Sequence, residues 1–239
     1  RLLRGAGSFT ADIHLTGLLH LVIVRSPHAH ANILNIDASA VLASSGVVGV
    51  LTSDDLQEVG WLSSIGRPGM EIKQGGDHPI LANGRALYAG QPVAAVIANS
   101  LAEAIDASLE FDITYEPLPA INDLEEALSN KFAPLHEIMG DNVCAYQRTG
   151  GGNVEAAFES ATKVITGNFH VPRIAPMAME GRACISSYDS NSGNLTFYSS
   201  NQSAHDIEHH LHEIITVPGH IRVFAPDVGG GFGHKHHIY

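Results

Sequence analysis

The chain has 239 residues, of which 44% are hydrophobic and 16% charged, so it holds enough apolar material to fold and is not disordered. Its formal charge is −12, and it has no run of Lys and Arg of the kind that a nucleic-acid-binding protein uses to neutralise phosphates. Because a domain usually has about 100–150 residues, this length predicts two domains.

The cysteines and the apolar runs exclude several other protein classes. Cys144 and Cys184 form no CxxC motif, so the chain is not itself an iron–sulfur or zinc module, and we expect buried, reduced thiols. The apolar run Leu21–Val24 is far shorter than the ~20 residues of a membrane-spanning helix, and nothing around it resembles a signal peptide. Because the chain starts at Arg1 and stops at Tyr239, directly after a glycine-rich stretch, we expect it to be a fragment of a longer polypeptide.

The first half of the chain alternates predicted strands and helices. The strands are predicted over Leu18–Val24, Ile33–Ile36, Val47–Leu51, Pro92–Ala98 and Phe111–Tyr115. Helices are predicted over Asp37–Ala43 and from Ser100 to Leu109, the second beginning with a capping box of Ser100 and Glu103. A long loop is expected over Trp61–Gly76. Strand–helix–strand units indicate an α+β or α/β domain that ends near residue 125.

The second half begins after an expected linker over residues 126–152, which contains three consecutive glycines and few apolar residues. Strands are predicted over Val164–Phe169, Ala183–Tyr188, Leu195–Ser199 and Ile221–Ala225. A helix is predicted over Ser203–Thr216, where Ile207, Leu211, Ile214 and Ile215 recur on one face. The last strand runs directly into a glycine-rich loop.

This loop, Gly229-Gly230-Gly231-Phe232-Gly233, is the most informative segment of the sequence. Glycines can take φ > 0 and let a backbone approach a ligand closely, with N–H groups converging on an anion. A flexible turn is an equally good interpretation of the glycines alone. The spacing fits neither a dinucleotide fingerprint nor a P-loop.

Two polar residues elsewhere are further candidates for a site. Gln202 lies between a predicted strand and a predicted helix, where its amide could donate to an oxo or phosphate group, although a helix cap is the simpler interpretation. Glu180 could serve as an acid or base, and a buried or interface carboxylate without a chemical role is at least as plausible.

Histidines cluster in two places and could bind a metal. On the predicted helix we favour a solvated polar face over a metal site, and the histidines after the glycine loop fit either a pocket wall or a surface loop. The first cluster comprises His205, His209, His210 and His212, and the second comprises His234, His236 and His237.

Eight segments, taken in chain order, resemble the large subunit of the molybdenum hydroxylases, the family of xanthine dehydrogenase, aldehyde oxidase and aerobic carbon monoxide dehydrogenase. The segments are Arg25–Ala31, Gly46–Thr52, Tyr88–Val96, Tyr115–Pro119, Asn153–Phe158, Met179–Glu180, Ser200–Gln202, and Gly229–Gly233 with Lys235. Each is a weak signal alone, but together they span nearly the whole chain.

The resemblance implies an α+β fold: an α/β hammerhead domain over residues 1–125, a linker over 126–152 and the start of a mixed α/β molybdopterin-binding domain over 153–239. It also implies a molybdenum–molybdopterin cofactor in its cytosine dinucleotide form, with no protein side chain bound directly to the metal. Gln202 would donate toward an oxo ligand of molybdenum, and Gly230, Gly231, Phe232 and Gly233 would contact the cofactor. Gln202 and Phe232 would be the residues next to the metal's ligands.

The implied activity is that of a cytoplasmic molybdenum-dependent oxidoreductase, to which this chain contributes part of the molybdenum-binding subunit. Such an enzyme hydroxylates an aldehyde or N-heterocycle with oxygen from water, or oxidises carbon monoxide, and passes electrons to FAD and 2Fe-2S clusters in partner subunits or domains. The remainder of the molybdenum subunit would carry the acid–base glutamate, beyond Tyr239, so the catalytic residues of this chain are unknown. A non-catalytic fragment or assembly module of such a complex is the alternative.

Two departures from the family pattern bear on these expectations. Several relatives have a second glycine and an acidic residue around the lysine that follows the loop, whereas this chain has His234 and His236. The substrate therefore cannot be carried over from the xanthine or aldehyde enzymes. The usual Gly-Asp pair before Val-Glu-Ala-Ala-Phe is Gly152-Asn153 here, which we interpret as a minor surface change.

Overall fold

The computed structural model describes residues 1–63, 69–73, 78–129 and 131–236. The strands of these residues are β1 (His20–Arg25), β2 (Ala31–Asp37), β3 (Val47–Leu51), β4 (Met70–Ile72), β5 (Arg85–Ala86), β6 (Pro92–Ala98), β7 (Asp112–Pro117), β8 (Ala145–Gln147), β9 (Cys184–Asp189), β10 (Asn194–Ser199) and β11 (Ile221–Phe224). The α-helices are α1 (Ser39–Ala43), α2 (Leu101–Ser108), α3 (Leu124–Leu128), α4 (Val154–Glu159) and α5 (Ala204–Ile214).

The first half contains two antiparallel sheets, with strand orders β1-β6-β3 and β5-β2-β7. β6 is central because nearly all of its residues are apolar, and Val93 and Val96 are completely buried. Helix α2 packs over this sheet and buries Ala104 and Ala107 against Val96. A small-residue helix lying on a continuous apolar strand thus forms the core of the first half.

Helix α2 begins where the capping box predicts. Ser100 is its N-cap, and Ser100 Oγ accepts a hydrogen bond from Glu103 N at 3.2 Å. The Glu103 carboxylate, however, accepts from the Ser100 hydroxyl at 2.8 Å, rather than from the Ser100 backbone N–H of a complete box. The cap is therefore confirmed in position and differs in one of its two contacts.

The second half is built around a parallel strand pair. β10 pairs with β9 in antiparallel fashion and with β11 in parallel fashion, and α5 is the crossover that joins β10 to β11. Ile207, Leu211 and Ile214 are buried on one face of α5, so the predicted apolar stripe is confirmed. The other side of this core comes from the first half of the chain, where Gly60 N donates to Ile214 O at 2.7 Å.

Three expectations from the sequence fail. Val164–Phe169 forms no strand and is exposed, because a strand requires a hydrogen-bonded neighbour and the described residues supply none for this segment. The predicted loop Trp61–Gly76 contains β4, which pairs with β8 inside the predicted linker; residues 64–68 and 74–76 lie outside the described residues. Cys144 and Cys184 are free thiols, but both are exposed rather than buried.

Other predicted elements lie within a few residues of the observed ones, and a mixture of helices and strands is confirmed. The domain boundaries at residues 125 and 152 stay a prediction. None of the helices in the described part of the chain is long and apolar enough to cross a membrane.

Candidate functional site

The glycine loop and the Gln202 segment meet at one edge of the β9–β10–β11 sheet. β10 and β11 are parallel, so the residues that follow both strands emerge at the same edge, where α/β proteins commonly bind ligands. Residues 200–202 follow β10, and the loop follows β11 after a short connection. The Gln202 backbone N–H donates to Lys235 O at 3.1 Å and joins the two segments.

The Gln202 side chain is held by the loop. Gly233 N donates to Gln202 Oε1 at 3.0 Å, while Ser203 occupies the N-cap position of α5. The interpretation of Gln202 as a helix cap is therefore wrong. Its Nε2 makes no hydrogen bond within the described residues, and the side chain is exposed. Because Oε1 is committed to Gly233, the amide presents a neutral N–H donor at the loop surface.

The loop backbone is strained at Phe232. Gly230, Phe232 and Gly233 have φ values of 100°, 49° and 83°, and Phe232 is the only non-glycine residue with positive φ among those that the structure describes. A bulky residue in this region is an outlier that costs about 1–3 kcal/mol. The residue is nevertheless 74% exposed, so burial does not offset the strain. Strain of this kind concentrates at ligand-binding sites.

A side chain on any of the first three loop glycines would force a neighbouring group to move. A Cβ on Gly229 would lie 2.5 Å from Glu180 Cβ, one on Gly230 2.8 Å from the Phe232 ring, and one on Gly231 2.4 Å from Gln202 Oε1. The sequence suggests that these glycines are needed for positive φ, and that reason is correct for Gly230 but wrong for Gly231, where only space requires glycine.

Glu180 lies behind the loop at the centre of a hydrogen-bonded cluster. Its Oε2 accepts from Ser200 Oγ, Gly229 N and Lys235 Nζ, each at 2.7 Å. Burial raises the pKa of Glu180, but the three donors and the Lys235 charge outweigh it and leave this pKa below the ordinary carboxyl value. The carboxylate is thus ionised, with Oε2 held by three donors and Oε1 without a hydrogen bond within the described residues. The three fixed donors favour a positioning role over an acid–base role.

The sequence did not predict this cluster, since Glu180 and Lys235 are 55 residues apart. It also missed Asp227, which precedes the loop and accepts from Ser8 N at 2.8 Å and from the Arg1 guanidinium. No local pattern could have indicated either contact, because each joins distant parts of the chain.

The histidines are dispersed around the site. His209 Nε2 and His210 Nδ1 lie 3.4 and 3.1 Å from the Glu213 carboxylate, and the His236 ring lies 3.5 Å from the Asp206 carboxylate. Across the described ranges, no group of three or more His, Cys, Asp or Glu side chains is arranged to hold a metal ion. His234 is exposed beside the loop, and His237 lies outside the described residues.

Comparison with known proteins agrees with this architecture. Residues 4–119 match the family model of the aldehyde oxidase and xanthine dehydrogenase a/b hammerhead domain. Residues 135–239 match the molybdopterin cofactor-binding domain. The chain belongs to the xanthine dehydrogenase and aldehyde oxidase family. The predicted family and the predicted order, a hammerhead domain followed by a molybdopterin-binding domain, are confirmed.

Individual members of the xanthine dehydrogenase and aldehyde oxidase family match the chain over nearly its full length. The nicotine 6-hydroxylase large subunit of Paenarthrobacter nicotinovorans is 34% identical over 100% of the chain, which covers 29% of that protein. The carbon monoxide dehydrogenase large chain of Hydrogenophaga pseudoflava is 30% identical over 100% of the chain and 31% of that protein. The structure of quinoline 2-oxidoreductase from Pseudomonas putida 86 superposes with a TM-score of 0.86, at 33% identity, over 98% of this chain and 30% of that one. The chain thus spans less than a third of these relatives' length.

One departure from the pattern of this family has a structural explanation. Asn153 is the N-cap of α4, and its Oδ1 accepts from Ala156 N at 3.0 Å. Asparagine and aspartate cap helices about equally well, so the helix start is kept.

Proposed function

We propose that this chain forms one wall of the molybdopterin pocket in a molybdenum-dependent oxidoreductase. The observation that carries the proposal is the Gln202 amide, which Gly233 fixes through its oxygen so that its N–H donors remain available beside a strained, exposed Phe232. In this proposal Gln202, Gly230, Gly231, Phe232 and Gly233 contact the cofactor, with Gln202 and Phe232 next to the ligands of the metal.

The site is chemically suited to such a cofactor. An oxo ligand is electron-rich and accepts hydrogen bonds, and a neutral amide can donate one without introducing a positive charge. Of the cations near the loop, Lys235 has a side chain that is only 1% exposed and is paired with Glu180 at 2.7 Å, so its charge is offset by that carboxylate. The Arg182 guanidinium donates to His234 O. When bound, the molybdenum cofactor supplies a two-electron oxidation in which the oxygen comes from water.

The chain's own residues contribute position and shielding. The Gly233 N–H holds the Gln202 amide in one orientation, so a donor is already in place and need not be reorganised during the reaction. The apolar ring of Phe232 would cover the cofactor and limit access of bulk water. Both contributions depend on the backbone of the glycine loop, which leaves no space for larger residues at its start.

The names of the relatives support several substrate classes and do not select one substrate. Their names specify nicotine, 6-hydroxypseudooxynicotine, quinoline, aldehydes and carbon monoxide. We therefore propose hydroxylation of an aldehyde or N-heterocycle, or oxidation of carbon monoxide, by a cytoplasmic complex. The cytosine dinucleotide form of the cofactor, FAD and 2Fe-2S partners, and an acid–base glutamate from the remainder of the subunit are parts of the same proposal.

The test uses the full-length subunit purified with its natural partner polypeptides. We expect about one molybdenum per subunit by elemental analysis, and reduction of an artificial electron acceptor with at least one of nicotine, quinoline, benzaldehyde and carbon monoxide. Gln202→Ala should bind molybdenum and lose turnover, since it removes the donor. A natural complex without molybdenum would contradict the proposal and support a non-catalytic assembly role.

A further inference from the structure

We propose that Glu180 is a positioning residue, which sets the place of the glycine loop and of the Gln202 amide against the cofactor. This inference rests on the proposed function and adds to it a residue that lies behind the loop. Glu180 does not act as an acid or base in this scheme. It acts through the segments that it holds.

The geometry of the Glu180 cluster carries the proposal. One oxygen, Oε2, accepts hydrogen bonds from Ser200 Oγ, Gly229 N and Lys235 Nζ, each 2.7 Å long. Ser200 lies two residues before Gln202, Gly229 begins the loop, and Lys235 follows its end. A single carboxylate therefore ties both ends of the loop to the end of β10.

Burial makes these ties rigid. The side chains of Lys235 and Glu180 are 1% and 14% exposed, so neither charge can be satisfied by water if the other is removed. The second carboxylate oxygen, Glu180 Oε1, is buried and makes no hydrogen bond within the described residues. The hydrogen bonding seen at this carboxylate is thus concentrated on the side that faces the loop.

The same cluster reaches Gln202 by a short path. The Gln202 backbone N–H donates to Lys235 O at 3.1 Å, and Gly233, between Lys235 and the loop centre, holds Gln202 Oε1 at 3.0 Å. Displacement of Lys235 from Glu180 would move both contacts together. The start of the loop is held closely as well, since a Cβ on Gly229 would lie 2.5 Å from Glu180 Cβ.

The experiment compares Glu180→Gln, Lys235→Met and the double variant in the full-length subunit with its partners. Asp141→Asn, which breaks the half-exposed ion pair of Asp141 with Lys73, is the matched control. Three properties are measured beside molybdenum content: thermal unfolding, hydrogen exchange of residues 226–236, and the Mo(V) EPR signal after dithionite reduction. For molybdenum-loaded protein, kcat and KM are determined with whichever of nicotine, quinoline, benzaldehyde and carbon monoxide the wild-type enzyme oxidises.

We expect each single variant to unfold at lower temperature, because a buried charge loses its partner. Exchange in residues 226–236 should rise roughly tenfold, the EPR line shape should change, and kcat per molybdenum should fall on the order of a hundredfold with little change in KM. The double variant removes both charges, so its thermal stability should recover while kcat stays low. Asp141→Asn should leave the loop exchange, the EPR signal and kcat at wild-type values.

Other outcomes would overturn the proposal. A double variant that regains wild-type kcat and EPR signal would show that the pair acts on stability alone. A molybdenum-loaded Glu180→Gln protein with wild-type exchange and kcat would show that the loop does not depend on Glu180. If the single variants do not fold, the double variant still gives the decisive comparison. Wild-type protein that lacks molybdenum overturns the proposed function and this inference with it, whereas unaffected variants in loaded protein overturn this inference only.

Discussion

Replacing Gly231 by Ala should lower turnover while leaving the free energy of unfolding nearly unchanged. The new Cβ would lie 2.4 Å from Gln202 Oε1 and 3.1 Å from Gln202 Cδ, so one of the two groups must move. Gln202 is exposed and can rotate away, at the cost of its hydrogen bond from Gly233. Gly231 has no positive φ, so alanine adds no backbone strain there.

The effect of Gly231→Ala on stability should be much smaller than its effect on turnover. A lost hydrogen bond at an exposed position costs about 1 kcal/mol of unfolding free energy, and replacing glycine stabilises the chain by about 0.4–1 kcal/mol through the unfolded state. The net change in stability should therefore be smaller than about 1 kcal/mol. Turnover should fall about a hundredfold or more, because a positioned donor has been displaced.

The assay combines urea unfolding of the full-length subunit, molybdenum content and turnover, for Gly231→Ala, Gln202→Ala and the double variant. In the double variant Oε1 and Cδ of residue 202 are gone, and the remaining contact of the added Cβ is with the Cβ of residue 202 at 3.2 Å. The double variant should therefore be little slower than Gln202→Ala alone. Gly150→Ala is the matched control, since a Cβ there meets nothing within 4 Å. Strictly additive losses of turnover in the two single variants would refute the steric argument.

Three further predictions concern strain, capping and pH. Phe232→Asn should keep or raise the unfolding free energy, by up to about 1 kcal/mol, because asparagine tolerates positive φ better than phenylalanine; a loss of stability in urea would show that the ring packs more strongly than its exposure indicates. Ser100→Ala should lower the unfolding free energy by about 1 kcal/mol by removing the N-cap of α2, and an unchanged urea midpoint would contradict that role. For Glu213, the hydrogen bond from His210 is the largest cause that holds its pKa below 4.5, against a smaller effect of burial and with help from Ser63. The ionised Glu213 carboxylate therefore stabilises the fold above pH 4.5, and this stabilisation is lost as the pH falls through the lowered pKa of Glu213. Glu213→Gln should flatten the fall in unfolding free energy at acid pH. Parallel pH profiles of wild type and variant would refute the link between Glu213 ionisation and stability.

The sequence predicts those elements of the fold whose residues carry a local signal. β6 is recognised by its continuous apolar residues, α2 by the Ser100 cap, and α5 by the spacing of Ile207, Leu211 and Ile214. The segment Val164–Phe169 has the same strand-like composition, but none of the residues that the structure describes pairs with it, so its pattern alone does not form a strand. A strand forms only when a neighbouring strand pairs with it, so the sequence of one segment cannot predict a strand by itself.

The candidate site likewise has parts that the sequence indicates and parts that only the tertiary structure shows. The glycine loop stands out in the sequence because consecutive glycines occupy a short segment. The order of the family's motifs identifies the domains and points to Gln202. Only the tertiary structure shows that the parallel pairing of β10 with β11 brings the two segments together, and that the Gly233 N–H decides which end of the Gln202 amide remains free. It also decides that Glu180 holds Lys235 from 55 residues away. A hydrogen bond depends on distances of a few ångströms that chain topology creates, and those distances are not written in any local pattern of residues.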